Sequence, residues 1–143
     1  MNDHFVFLRR VAYHETDAMG VLHHSNHVKY FEEARVEWLR AMGLVNIHQP
    51  YGPYVFAVVN LEMRYSKPAR FDDELEIWVE ARLEGAKIQF RYAMWSKRLK
   101  TVIADGATTL VAINDELRAV RLPEAAQKVF ASGSWSEIWP PRK

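Results

Sequence analysis

The sequence contains no cysteine, which removes thiol nucleophiles, disulfides and cysteine-based zinc sites together. Chemistry in this chain must come from carboxylates, histidines, hydroxyls and the backbone. Charge of one sign is missing as well: 19 Lys and Arg stand against 18 Asp and Glu, a net of +1. That balance lacks the broad basic footprint of a nucleic-acid binder, so any phosphate recognition is local. No run approaches the roughly 18 apolar residues of a membrane span. The opening "MNDHFVFLRR" also lacks the basic start and unbroken apolar stretch of a secretory signal. The expectation is a soluble, cytoplasmic protein. Glycine and proline number only 6 each, and no Pro/Gly/Ser-rich stretch or repeat breaks the chain. A single domain over 1–143 is expected.

What is present is a core. Hydrophobic residues make up 49% of the chain and aromatics 13%, enough to bury the surface expected of a domain this long. "FVFLRRVA" at 5–12 reads as a first strand. From Val28 the period changes, with Val28, Phe31, Ala34, Trp38 and Met42 recurring every three or four positions. This is an amphipathic helix, capped by Ser25 or Asn26 at its start and ended by Gly43. Alternation with period two then runs through "VNLEMRY" (59–65), "LEIWVEARL" (75–83), "IQFRYAM" (88–94) and 101–113. Val59, Leu61, Met63 and Tyr65 share one face of the first of these. Short turns such as Gly85-Ala86 make the four strands an antiparallel meander. Its apolar face needs a cover, and the one long helix supplies it, so the fold class is α+β. Gly106 interrupts the last strand as a bulge or a close approach. Pro123 opens a short C-terminal helix from about 122, and Trp135 and Trp139 in the tail pack on the domain or on a second subunit.

"TDAMGVLHHSNH" at 16–27 concentrates a carboxylate, a glycine and three histidines just ahead of the helix. Three chemistries compete for it. His23 and His27, four apart with Asp17 nearby, could hold a metal, although the zinc-protease pattern wants Glu after the first His and finds His24. Ser25 could serve a Ser-His-Asp triad, but no nucleophile elbow marks it. The third uses the helix start, whose first N–H groups lack partners and carry the positive end of the dipole. A carbonyl polarised there could be attacked by the Asp17 carboxylate, or by water that it activates, with Gly20 allowing the loop to fold back. Such a site suits an ester with a good leaving group, and a thioester fits. The plain alternative is that Asp17 caps a turn.

"VAYHETDAMGVLHHSNHVKYFEEARVEWL" at 11–39 resembles the signature of the hot-dog-fold acyl-CoA thioesterases of the 4-hydroxybenzoyl-CoA and Tol-Pal-associated type. "YSKPARFDDELEI" at 65–77 resembles that family's crossover into its third strand. The resemblance implies a five-stranded antiparallel sheet wrapped around one long central helix, assembled as homodimers or homotetramers. It implies hydrolysis of an acyl-CoA substrate without cofactor or metal. The catalytic carboxylate falls on Asp17 and the carbonyl-polarising N–H at or near His24, whose side chain helps to position water or substrate. Tyr13 and Thr16 shape the loop; Gly20, His23, Asn26, His27 and Val59 complete the expected substrate site. Arg64, Lys67, Arg70 and Lys87 are candidates for coenzyme A phosphates. Glu15 stands where the family often has Asp, and His27 where it often has Tyr, near the acyl pocket.

Two other readings stay open. A non-catalytic acyl-CoA-binding module needs no Asp17. A hot-dog hydratase or dehydratase needs motifs absent here, since Leu22 stands after four intervening residues from Asp17 where the hydratases carry His.

Overall fold

The computed structural model describes residues 4–44, 55–131 and 135–141. Alternating stretches become strands: β1 (Phe5–Arg10), β2 (Val55–Tyr65), β3 (Glu74–Glu84), β4 (Lys87–Ser96) and β5 (Thr101–Ile113). In β3 the alternation is carried through to burial, with Leu75, Ile77, Val79 and Ala81 inside. All pairings are antiparallel, and the sheet order is β1-β3-β4-β5-β2. The expected four-strand meander is therefore corrected. Only β3, β4 and β5 follow one another as neighbours, because the tight turn at Gly85, φ +62°, can join only adjacent strands. Residues 66–73 are long enough to carry the chain from β2 on one side of the sheet to β3 on the other.

The helix α1 (His24–Ala41) starts earlier than the apolar period suggests, and its cap is His23 rather than Ser25 or Asn26. Its first buried residues are polar, Asn26 and His27, so a hydrophobic period misses them. Tyr30, Phe31, Ala34, Trp38 and Leu39 continue the buried face, while Met42 is exposed. Gly43, at φ +76°, ends the helix as expected. Phe31 stacks on Tyr92 of β4 with centroids 4.7 Å apart, and Trp38 meets Phe90 edge-on at 5.3 Å. A second helix, α2 (Glu124–Ala131), begins just after Pro123, whose carbonyl accepts from Gln127 N–H. It drives Phe130 into the core against Trp38 and Phe56. Burying one such ring contributes about 1.5–3 kcal/mol. This is the helix-in-sheet arrangement that the resemblance implies.

The outer face of the sheet carries the tail. Arg91 of β4 lies over two indoles, 4.5 Å from the Trp135 ring centroid and 4.3 Å from that of Trp139. Glu80 of β3 pairs with Arg91 and accepts from both the backbone and the hydroxyl of Ser136. Among the described residues, no helix is long and apolar enough to cross a membrane.

Gly106 does not form a bulge. It pairs in register with Met63 on one side and Tyr92 on the other; the register shifts lie between Val58 and Asn60 and between Met94 and Trp95. Close approach explains the glycine instead. A Cβ there would lie 2.5 Å from the Glu62 carbonyl oxygen, 2.8 Å from Met63 Sδ and 3.2 Å from Phe31 Cε2. Gly106→Ala is expected to destabilise the protein by about 1–3 kcal/mol, because backbone cannot move aside as a side chain can. Urea unfolding midpoints test this, and an unchanged midpoint would refute it.

Candidate active site

The crossover at 66–73 and the segment before α1 are tied into one corner. Leu22 N–H donates to Ala69 O at 2.8 Å, and Val21 bridges Arg70. Within the segment, Thr16 donates through N–H and Oγ1 to Tyr13 O and bridges Leu22. Asp17 N–H donates to Val21 O at 2.8 Å, and Gly20 N–H to Asp17 O at 2.9 Å. The result is a tight loop whose return needs Gly20 at φ +77°, a conformation costly for other residues.

Asp17 is half-buried at the base of this loop. Its Oδ1 accepts from Met19 N–H at 2.8 Å and Val21 N–H at 3.3 Å. One carboxylate oxygen therefore caps a turn, as the plain reading had it. The other accepts no hydrogen bond from the described residues.

The helix start is similarly selective. His23 N–H donates to Glu15 O at 3.0 Å, and Asn26 N–H to His23 O at 2.9 Å. Ser25 N–H donates to the Nδ1 of His23 at 3.2 Å, with Ser25 Oγ 2.8 Å from the same nitrogen. What remains is His24 N–H, the one donor of these positions without an acceptor among the described residues. Ser25 thus donates to the His23 cap, and among the described residues no carboxylate pairs with His23, so they form no Ser-His-Asp arrangement. Among the described residues no three His, Asp or Glu side chains gather as a metal-ligand set.

Glu15 holds the two halves together. Its carbonyl accepts from His23 N–H and from the Asn26 side chain at 2.8 Å. Its buried carboxylate accepts from Tyr30 Oη at 2.6 Å, Ala12 N–H at 2.9 Å and Arg9 at 2.8 and 3.1 Å. Burial alone would raise its pKa, yet the hydrogen bonds from Tyr30 and Ala12 and the Arg9 guanidinium outweigh that and hold the carboxyl below its ordinary range. The Tyr30 phenol moves the other way, pushed above its ordinary range by burial and its bond to Glu15.

Beside the helix start lies an open cleft of about 280 Å³, walled by Leu22, His24, His27, Tyr65, Lys67 and Pro68 among others. Tyr65 donates to His24 O at 3.1 Å and meets the His27 ring edge-on at 4.9 Å. Burial pushes the His27 imidazole pKa down, favouring its neutral form. Asp17 is not among the residues of this wall, although its neighbour Thr16 bridges Leu22, which is.

Of the expected substrate residues, His24, His27 and Lys67 meet at the cleft, and Tyr13 lies exposed against Phe71 with centroids 5.5 Å apart. His23 and Asn26 spend their polar atoms on the chain itself. Val59 is the extra residue at the β2 bulge and leaves the face of Leu61, Met63 and Tyr65. Arg64 pairs with Asp105 at 3.0 Å, Arg70 is exposed beside the loop, and Lys87 stands at the opposite end of β4 from Ser96. Tyr65 and Glu15 are the residues that sequence reasoning underrated. The first reads as ordinary core alternation, and nothing local announces the second as buried.

Comparison with known proteins extends the geometry. The model of the thioesterase superfamily matches residues 19–103, which takes in α1, β2, β3 and β4. The acyl-CoA thioesterase YbgC of Haemophilus influenzae is 30% identical over 138 residues, 91% of this chain and 96% of that protein. A protein of Aquifex aeolicus is 41% identical over 73 residues, but these span only 51% of this chain and 57% of that one. A crystal structure of a hypothetical protein, also from Aquifex aeolicus, superposes with a TM-score of 0.80 at 30% identity, covering 88% of this chain and 98% of that one. A five-stranded sheet around one long helix, matched in sequence through its helix and central strands, places this chain in the thioesterase superfamily.

Proposed function

We propose that the chain hydrolyses an acyl-CoA thioester to the free acid and coenzyme A, with Asp17 as nucleophile or general base and His24 N–H polarising the carbonyl. The observation that carries this reading is selective pairing. Where most polar groups of the segment are spent on the fold, one Asp17 oxygen and one helix-start amide remain. Negative charge grows on the carbonyl oxygen as it is attacked, and an N–H at the positive end of α1 stabilises it without reorganising. As general base, Asp17 takes a proton from water as its oxygen bonds to the carbonyl carbon. The C–S bond then breaks and the thiolate leaves. As nucleophile, Asp17 forms a mixed anhydride that water opens.

The name of the Haemophilus relative, an acyl-CoA thioesterase, supports the substrate class. Lys67 at the cleft, with exposed Arg70 nearby, fits coenzyme A phosphates. Homodimers or homotetramers follow from the same reading: β2 is an edge strand that exposes Val58 and Val59. No cofactor is required. A thiol-release assay over short, long, branched and aromatic acyl-CoAs tests the proposal. Release from at least one class is expected. Binding without release would instead favour a non-catalytic acyl-CoA-binding module.

A further inference from the structure

We propose that His23 is a positioning residue whose neutral imidazole, by capping α1, determines which backbone amide is left to meet the substrate carbonyl. The inference rests on the hydrolysis reading above. Helix caps are ordinarily Ser, Thr, Asp or Asn, whose oxygens accept at any working pH. Here the acceptor is a ring nitrogen, 3.2 Å from Ser25 N and 2.8 Å from Ser25 Oγ. Nδ1 accepts from the Ser25 amide only while its proton sits on Nε2. The His23 ring and carbonyl together absorb the amides of Ser25 and Asn26, and Glu15 O absorbs that of His23. His24 N–H is what this leaves.

Protonation reverses the arrangement. Nδ1 becomes a donor, the Ser25 bond is lost, and a positive charge sits at the positive end of the helix dipole. Two amides then compete where one was aimed. The neighbouring titratable groups do not oppose this. The His24 ring lies 4.2 Å away, and beyond it Tyr65 and Lys67 share the cleft wall. The Glu15 carboxylate is occupied by Arg9, Tyr30 and Ala12, and Asp17 Oδ1 by the amides of Met19 and Val21. Loss of the cap on protonation of His23 is therefore expected to shape the acid limb of the rate profile.

His23→Asn, which caps irrespective of pH, and His23→Ala, which does not cap, separate these roles. His23→Asn is expected to retain most of kcat at high pH and to move the acid limb to lower pH. His23→Ala is expected to lose about fivefold to tenfold in kcat across the profile, with KM little changed. The Ser25 amide resonance of the wild type should titrate together with the His23 ring, a readout independent of turnover. An acid limb unmoved in His23→Asn, or a loss in His23→Asn equal to that in His23→Ala, overturns the proposal. A Ser25 amide blind to His23 protonation overturns the cap alone, whereas wild type that releases no thiol overturns the hydrolysis reading itself.

Discussion

Asp17→Asn is expected to slow thiol release by about 10²- to 10⁴-fold, the range for removing a positioned general base, with the fold unchanged. The two halves of this expectation come from different oxygens. Asparagine keeps an Oδ1 that can accept from Met19 and Val21, so the turn at 17–21 survives. It loses the charge and basicity of the oxygen that the fold leaves free. Melting curves and oligomer profiles of variant and wild type should overlay, and the difference should appear in kcat/KM. Asp17→Ala makes a useful contrast, since it removes the turn acceptor as well and should cost about 1 kcal/mol of stability on top of the rate. Equal rates in wild type and Asp17→Asn would reduce Asp17 to a turn cap. Single-turnover hydrolysis in oxygen-18 water then bears on the surviving mechanisms: label in Asp17 means an anhydride opened at the Asp17 carbon, and its absence argues against that route.

Glu15→Ala is expected to lose about 3–5 kcal/mol of stability, the scale for breaking a buried ion pair from one side. Three sets of donors, from Tyr30, Ala12 and Arg9, converge on this carboxylate. Only Arg9 keeps a partner after truncation, through Glu33 at 3.0 Å. Glu15→Gln preserves an acceptor and should lose less, about 1–3 kcal/mol. Because the native carboxyl ionises below its ordinary range, its contribution is complete above the unfolded-state value near pH ~4.3 and fades as pH falls through the lower native one. Urea titrations between pH 7 and 3 should show wild type weakening only at the acid end, with a shallower dependence in Glu15→Gln. Asp73 beside Arg98 and Glu80 beside Ser136 and Arg91 are also held low and share the acid loss. A Glu15→Gln variant as stable as wild type would leave the convergence of donors without energetic meaning.

Much of this molecule could be read before folding. The alternation of Leu75, Ile77, Val79 and Ala81 and the spacing of Phe31, Ala34 and Trp38 foretold sheet and helix, because both are repeats of burial along a regular backbone. Strand order was not legible in that way, since hairpin turns reveal neighbours while residues 66–73 give no address for β2. The start of α1 escaped for a related reason. Its cap is an imidazole and its first inward residues are polar, so neither capping preference nor hydrophobicity points to them. At the candidate site, motif resemblance pointed to Asp17 and His24, yet which atoms remain unpaired depends on contacts between segments. The Glu15 carbonyl and the Tyr65 hydroxyl enter only when the corner closes.

The double indole contact of Arg91, with Trp135 and Trp139, has a practical corollary. It pins the tail to the face of the sheet opposite α1, which packs on the neighbouring Tyr92. A tether or affinity tag fused downstream of Pro141 starts from behind the strands. Immobilised through such a tether, the chain would turn the α1 side of the sheet toward bulk solution rather than toward the support.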